Sequence, residues 1–324
     1  MANYNVVIAQ GTFGGIAPGA YDFHGHRIEL KIAPFDTAAR IQEATADAHG
    51  VIIGLQRLHR DEIAVLGSNV RAISRGGIGL DNIDLEAAKQ RRIAVIHQPV
   101  YATDEVATHA IALLLALNRR LVESDHIVRT AWAERRQLSA IRPLHRMTVG
   151  VIGLGVIGRA VVHRLSTLVA KVVVHDPYVK SLPAGVEGAG TVDELLKVSD
   201  AITLHAPLTP ETRNLIGARE LALLPKGAYV VNVARGELVD HDALIASLRS
   251  GHVAAAGLDV FPVEPLPADH PLLSAPNVLV SPHTAFASTE AVARLKQQTV
   301  DDLFSYLAEN KVVAGRLAVD PAKP

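Results

Sequence analysis

The chain has 324 residues, 49% hydrophobic and 20% charged, a globular balance that excludes a disordered or fibrous chain, and at this length two domains are expected. Lys plus Arg (32) against Asp plus Glu (33) leaves a net charge of -1, so no surplus of positive charge exists to neutralise a nucleic-acid backbone. With no cysteine, disulfides, thiolate nucleophiles and cysteine-ligated metals are excluded, and any catalysis runs on oxygen and nitrogen groups.

The first ten residues carry no basic region or small-residue cleavage site, and no uncharged apolar run reaches about 18 residues. A soluble, cytoplasmic protein is expected, with neither nucleic acid nor membrane as partner. Short β-branched runs at 5–9, 27–31, 50–54, 72–74 and 93–96 alternate with helical spacing at 37–48 and 85–90, which predicts parallel strands joined by crossover helices. Segment 11–19 reads as a loop, either mobile at a cleft or a surface excursion. His24-Gly25-His26 has no acid or third histidine at ligand spacing, so it reads as a surface turn and no metal site is expected.

Residues 106–121 are apolar almost all round, without a break from 111 to 117, and predict a helix buried at a domain or subunit boundary near Val100. Beyond it, apolar runs at 149–153, 172–175, 201–204, 229–233, 254–258 and 278–281 predict six strands buried on both faces, enough for a doubly wound sheet. Residues 292–307 predict an amphipathic helix followed by a weak tail, and no repeat or low-complexity tract is present.

Gly153-Leu154-Gly155-Val156-Ile157-Gly158 follows one of these strands and opens an apolar helix at 161–168. Gly153 suits the tight turn, Gly155 lets the backbone approach a pyrophosphate, Gly158 permits close helix packing, and the phosphates would sit on the helix N-terminus. Eighteen residues after Gly158, Asp176 ends the next strand. Its carboxylate can accept from both ribose hydroxyls and repels a 2′-phosphate, which points to NAD rather than NADP despite the nearby Arg159 and Lys180.

Ligands of doubly wound sheets bind off the carboxyl ends of the strands. Arg235, Glu264 and His283 each follow a predicted strand. Together they supply what reduction of a 2-oxo acid by NADH needs: a guanidinium for the carboxylate and ketone, an imidazolium to protonate the developing alkoxide, and a carboxylate to hold that imidazole. His163, His175 and His205 read as packing or cofactor-contacting groups, and neither Ser166 nor Ser281 sits in a hydrolase elbow.

With these motifs, nearly the whole chain resembles the D-isomer-specific 2-hydroxyacid dehydrogenases. Gly153 to Gly158 with Asp176 resembles their cofactor fingerprint, and His205-Ala206-Pro207-Leu208 with Thr212 a second cofactor loop. Asn232-Val233-Ala234-Arg235-Gly236, Asp259-Val260 through Glu264-Pro265, and Ser281-Pro282-His283-Thr284 resemble the arginine, glutamate and histidine motifs. Arg75-Gly76-Gly77-Ile78-Gly79 resembles the loop that receives the substrate carboxylate. The resemblance implies an α/β chain of two doubly wound domains. One is a discontinuous flavodoxin-like substrate domain (1–100 and 290–324), and the other a Rossmann NAD-binding domain (101–289) through which a homodimer forms. It implies Arg235 as substrate binder, Glu264 as partner of the acid–base His283, Asp259 near the nicotinamide amide, and Val233 and Ala234 lining its pocket. It also implies substrate contacts from Arg75, Gly77, Ile78, Gly79, Tyr101 and Phe286.

Two stretches depart from the family pattern: Val106-Ala107-Thr108, where an acid often follows Val-Ala, and Leu144-His145-Arg146-Met147-Thr148, which lacks the usual glycine and lysine. Phe286 and Asp176-Pro177-Tyr178 also resemble the co-repressor branch of the family. This leaves a second reading, an NAD(H)-sensing, partner-binding protein with little turnover; the chain has no long disordered flank, which favours the enzyme. A phosphorylated substrate would draw on Arg57, Arg60 and Arg75. No C-terminal regulatory domain of the long phosphoglycerate dehydrogenases is expected, and glyoxylate, hydroxypyruvate or pyruvate is the preferred substrate class.

Overall fold

The computed structural model describes residues 2–12, 16–130, 132 and 141–323; part of the expected loop at 11–19, residues 13–15, lies outside the described residues. The chain divides into two compact units, Met1–Tyr101 with Ser288–Pro324, and Ala102–Ala287.

The first unit runs β1 (Asn3–Ala9), β2 (Gly19–Phe23), β3 (His26–Ala33), α1 (Ala38–Thr45), β4 (Gly50–Ile53), α2 (Arg60–Val65), β5 (Ala72–Arg75), α3 (Leu85–Gln90) and β6 (Ala94–His97), and is completed by α10 (Thr289–Glu309) and β14 (Arg316–Val319). Its sheet order, β14-β6-β5-β4-β1-β3-β2, contains the parallel core of a flavodoxin-like domain, with the reversal of strand order between β1 and β4. Alternation along each strand decides the layers. Val7, Val51 and Ile53 face a core with Ile41 and Ile63 of the crossover helices, while Val6, Ile8 and Ile52 face Leu303, Phe304 and Leu307 of α10.

Edge strands β2 and β14 pair antiparallel with β3 and β6, and both are short and mostly unburied. In place of the expected weak tail, the end of the chain forms β14. Asp302 on α10, wholly buried, accepts from the backbone amides of Val313, Ala314 and Gly315 at 2.7–2.9 Å and from Gln98 Nε2 at 2.9 Å. Those bonds turn the chain back toward the sheet.

The second unit runs α4 (Thr103–Asn118), α5 (Leu121–Thr130), β7 (Thr148–Ile152), α6 (Val156–Leu165), β8 (Lys171–His175), β9 (Glu187–Gly188), α7 (Val192–Val198), β10 (Ala201–Leu204), α8 (Ala218–Leu223), β11 (Ala228–Asn232), α9 (His241–Ser250), β12 (Val253–Leu258) and β13 (Val278–Val280). All seven strands are parallel, in the order β13-β12-β11-β10-β7-β8-β9, a Rossmann arrangement that reverses between β7 and β10. Both neighbours of that reversal are buried along almost their whole length, as strands covered on two faces must be.

Two expectations change here. The glycine-motif helix begins at Val156 with Gly155 as its N-cap, five residues before the expected start. The apolar helix α4 ends at Asn118, short of the expected end at Leu121, and packs on α6, β11 and β12; within this unit Ala112 is exposed and Leu115 half-buried. Among the described residues, no helix is long and apolar enough to cross a membrane.

Asp302→Ala strands three backbone donors and the Gln98 amide without their acceptor, and is expected to cost the first unit about 3 kcal/mol. A urea titration checks this; an unchanged midpoint would remove Asp302 as the anchor of β14.

Candidate active site

The glycine turn lies at the carboxyl end of β7, beside the reversal of strand order. Gly153 adopts φ +94°, and a Cβ there would meet Ala206 N at 2.7 Å; a Cβ on Gly158 would overlap the Gly153 carbonyl. These two glycines therefore set how closely α6 and the 205–206 backbone approach the turn. At Gly155 a Cβ meets nothing within 4 Å, and no side chain caps the helix it opens. Its outward side is thus open, beside the uncapped N–H groups of Val156 and Ile157.

At the end of β8, Asp176 Oδ2 accepts from Leu154 N at 2.7 Å and Oδ1 from Tyr178 N at 2.9 Å. Its carboxylate is fixed against the glycine turn. His205, at the end of β10, shares a 2.9 Å hydrogen bond between Nε2 and Thr203 Oγ1, and burial pushes its pKa down to about 3, so the ring is neutral. Thr212 Oγ1 donates to Pro207 O at 2.7 Å and accepts from Thr209 N at 2.8 Å, closing the 207–212 loop on itself. An open glycine cradle at a helix N-terminus with a fixed carboxylate at the neighbouring strand end fits a dinucleotide.

The three remaining motifs interlock at the ends of β11, β12 and β13. Buried Asn232 accepts from Ala234 N at 3.0 Å and donates to Arg235 O at 2.7 Å, shaping the turn that carries buried Val233, half-buried Ala234 and Arg235. Arg235 Nη1 donates to Ala234 O at 2.7 Å. A Cβ on Gly236 would overlap the Phe261 backbone, so this turn lies directly against the glutamate loop. There, Glu264 Oε1 accepts from Phe261 N at 2.9 Å, and Oε2 lies 2.7 Å from His283 Nδ1. A carboxylate only accepts, so Nδ1 carries a proton toward Glu264. Burial alone would raise the Glu264 pKa, but the His283 hydrogen bond, the Phe261 amide and the charges of His283 and Arg235 together hold it below the usual value.

His283 itself sits at φ +53°, a left-handed conformation that a non-glycine residue holds only when its surroundings fix it. The fixing group is Asp259, wholly buried at the end of β12. Its carbonyl accepts from His283 N at 2.7 Å, and its carboxylate accepts from Ser281 Oγ at 2.5 Å, Thr284 N at 2.9 Å and Ala285 N at 2.8 Å. The resemblance implies that Asp259 lies near the nicotinamide; in the structure both of its oxygens are engaged by the histidine turn. Phe286 stands edge-on to His283 at 6.4 Å. His109 of α4 joins this cluster at Ser281. The sequence reading passes over it, although it is the one ionisable residue between Val106 and Leu117.

In the first unit, Gly77 adopts φ +148° and the direction of its missing Cβ is taken by the Arg75 guanidinium. Buried Arg75 donates from Nη1 to Gly76 O at 3.0 Å. Gln98 N donates to Gly77 O at 3.0 Å and His97 Nδ1 to Ile78 O at 2.9 Å, so β6 pins the loop through Gly77, Ile78 and Gly79. Tyr101 is buried, its carbonyl accepting from Arg294 at 2.5 Å. Of the other expected cations, Arg60 lies 3.7 Å from Asp84 and Arg57 is exposed. His24 pairs with Glu309 at 2.8 Å, and His26 accepts from Ala2 N at 3.4 Å; among the described residues no group of three or more potential ligands forms a metal site.

Residues 111–285 match the family model of the D-isomer specific 2-hydroxyacid dehydrogenase NAD binding domain. The chain belongs to this family. It is 38% identical over 253 residues to the glyoxylate reductase of Thermofilum pendens, an alignment covering 76% of this chain and 74% of that one. It is 37% identical over 292 residues to the D-3-phosphoglycerate dehydrogenase of Methanocaldococcus jannaschii, covering 88% of this chain and 55% of the relative. The chain therefore spans about half the length of the phosphoglycerate dehydrogenases it matches. Among solved structures, the TT0316 protein of Thermus thermophilus superposes with a TM-score of 0.82 at 31% identity, covering 97% of this chain and all of that one. The second unit thus carries the family's NAD-binding domain, and these relatives lend the co-repressor-like alternative no support.

One buried group in this dehydrogenase domain titrates without serving the site. His241, at the start of α9, packs edge-on to Phe261 and His270, and burial, reinforced by the His270 charge, lowers its pKa to about 4. Below pH 6.5 an unfolded chain protonates this histidine while the folded one does not, so stability falls as pH drops from about 6.5 toward 4. The slope is up to one proton, about 1.4 kcal/mol per pH unit. Denaturant unfolding of wild type and His241→Leu across that window checks it: the variant should lose part of the acid sensitivity, and parallel curves would refute the assignment.

Proposed function

We propose that the protein is a cytoplasmic, homodimeric, NAD-dependent reductase that converts a small 2-oxo acid to its D-2-hydroxy acid. The observation that carries this reading is the 2.7 Å pair of His283 and Glu264 on a turn locked by Asp259, in the same unit as the NAD-binding turn. Bound NADH supplies the hydride to the carbonyl carbon. His283 gives its Nε2 proton to the ketone oxygen as the alkoxide develops, Arg235 holds the substrate carboxylate and polarises the carbonyl, and Glu264 holds the imidazolium in orientation. The products are the hydroxy acid and NAD. Asp176 favours NAD over NADP because a second negative charge at the ribose would face its carboxylate.

For the substrate, the proposal is an unphosphorylated acid such as glyoxylate, hydroxypyruvate or pyruvate, received by Arg75, Gly77, Ile78, Gly79, Tyr101 and Phe286. Its support is that Arg60, one of the cations a phosphate would draw on, lies beside Asp84. The homodimer draws support from Leu121, Val122 and Val128 of α5 and from Trp132, each more than half exposed, an apolar group that an isolated domain would leave in water.

Oxidation of NADH with these acids, followed optically, tests the activity. His283→Ala should lower kcat by roughly 10²–10⁴-fold. Wild-type reduction should hold through mildly acidic pH, because Glu264 stays ionised below the usual carboxylate range. Glu264→Gln removes the carboxylate that orients His283, so kcat should fall about ten-fold or more with NADH binding unchanged; wild-type kcat in this variant would take Glu264 out of this role. Tight NADH binding without turnover on any acid would sink the enzyme reading. The dimer is checked by sedimentation, where a mass twice the 34.5 kDa chain should fall toward the monomer in the Leu121→Asp, Val128→Asp double variant.

A further inference from the structure

We propose that His109 is a positioning residue for His283, acting through Ser281 and Asp259; the inference rests on the reductase reading above. His109 Nε2 lies 2.8 Å from Ser281 Oγ, and Ser281 Oγ lies 2.5 Å from Asp259 Oδ1. A serine hydroxyl has one proton and a carboxylate accepts only, so that proton points at Asp259 and Ser281 accepts from His109. The order of donation is therefore His109 Nε2–H to Ser281 Oγ–H to Asp259, and His109 carries its hydrogen on Nε2.

The relay ends on the group that builds the histidine turn. Ser281 is held from its backbone by Leu258 O, to which its N–H donates at 3.0 Å, and from its side chain by His109 and Asp259. Two residues later His283 sits at φ +53°, its amide on Asp259 O and its ring on Glu264. A left-handed histidine keeps that geometry only if both ends of the turn are fixed. Thr284 and Ala285 fix the far end on Asp259, and the His109–Ser281 bond fixes the near end. Packing gives no reason for a histidine here, since its neighbours on α4 are Ala110, Ile111, Leu113 and Leu114, and an apolar side chain would suit that helix equally well. The polar pair with Ser281 is what an imidazole adds, and it brings the helix that packs on β11 and β12 into contact with the acid–base turn.

The test compares His109→Leu, which removes the donor, with His109→Gln, whose amide can place an N–H near the Nε2 position. His109→Leu should lower kcat for 2-oxo acid reduction about ten-fold, with KM and the NADH Kd within about two-fold, as a small misplacement of the proton donor would. His109→Gln should recover most of the loss, and His109→Leu added to Ser281→Ala should cost less than the two losses multiplied, because both act on Asp259, whose Oδ1 also lies 3.6 Å from His109 Nε2. Wild-type kcat in His109→Leu, or losses that multiply in the double variant, would overturn the proposal. Histidine-ring 15N spectra give a readout that needs no turnover. The His109 ring should show the Nε2–H tautomer, and the His283 signals should move in His109→Leu and stay in place in His109→Gln. An Nδ1–H tautomer for His109, or a His283 signal indifferent to both substitutions, refutes the relay even if no 2-oxo acid proves to be a substrate, an outcome that would by itself count only against the reductase reading.

Discussion

The geometry of the His283–Glu264 pair depends on the satisfaction of one buried carboxylate. Asp259 is wholly removed from water, and such a group is tolerated only where donors replace its hydration. The chain supplies two backbone amides and a serine hydroxyl from the segment that follows β13. Once those donors are committed, the path from Ser281 to Ala285 has little freedom left. His283 is then forced into a left-handed conformation and its ring toward Glu264. The pairing of His283 with Glu264 is thus a consequence of how a strand-end charge is neutralised, with residues 22 to 26 positions downstream doing the neutralising.

The same device recurs in both units. Asp302 gathers the amides of Val313, Ala314 and Gly315 to turn the chain into β14, and Asp176 gathers those of Leu154 and Tyr178 to fix the glycine turn against β8. In each case a carboxylate holds a loop through backbone donors, which makes the loop's shape insensitive to most side chains along it. The loop sequences can then differ while the positions of His283, of the glycine cradle and of the last strand stay fixed.

This explains which parts of the architecture can be read from residues alone. Strands such as β10 and β11 are buried on both faces and mostly apolar, so composition marks them within a residue of their ends. The glycines at 153 and 158 announce themselves because a Cβ at either collides with backbone. β2 and β14 escape because an edge strand needs pairing but little burial, and Gly19–Phe23 is almost entirely exposed. The extent of burial around α4 is not legible because apolar residues all round a helix do not say which face finds a partner. Among the acids, sequence separates Glu264 by its motif, but nothing distinguishes Asp302 from any other acid on an amphipathic helix until the returning chain is seen to land on it.

Electrostatics completes the division of labour between two histidines of the second unit that face opposite demands. His205 is half-buried at a strand end, against the Thr203 hydroxyl, so its charged form is penalised by desolvation and the ring stays neutral. His283, a quarter exposed, has its Nδ1 2.7 Å from a carboxylate. One fold thus holds one imidazole against a hydroxyl and another against an acid, and the difference lies in what the strand end beside each supplies. Glu264 is itself fixed by the Phe261 amide and within the field of Arg235, so the ring of His283 is oriented through a carboxylate that is held in its turn.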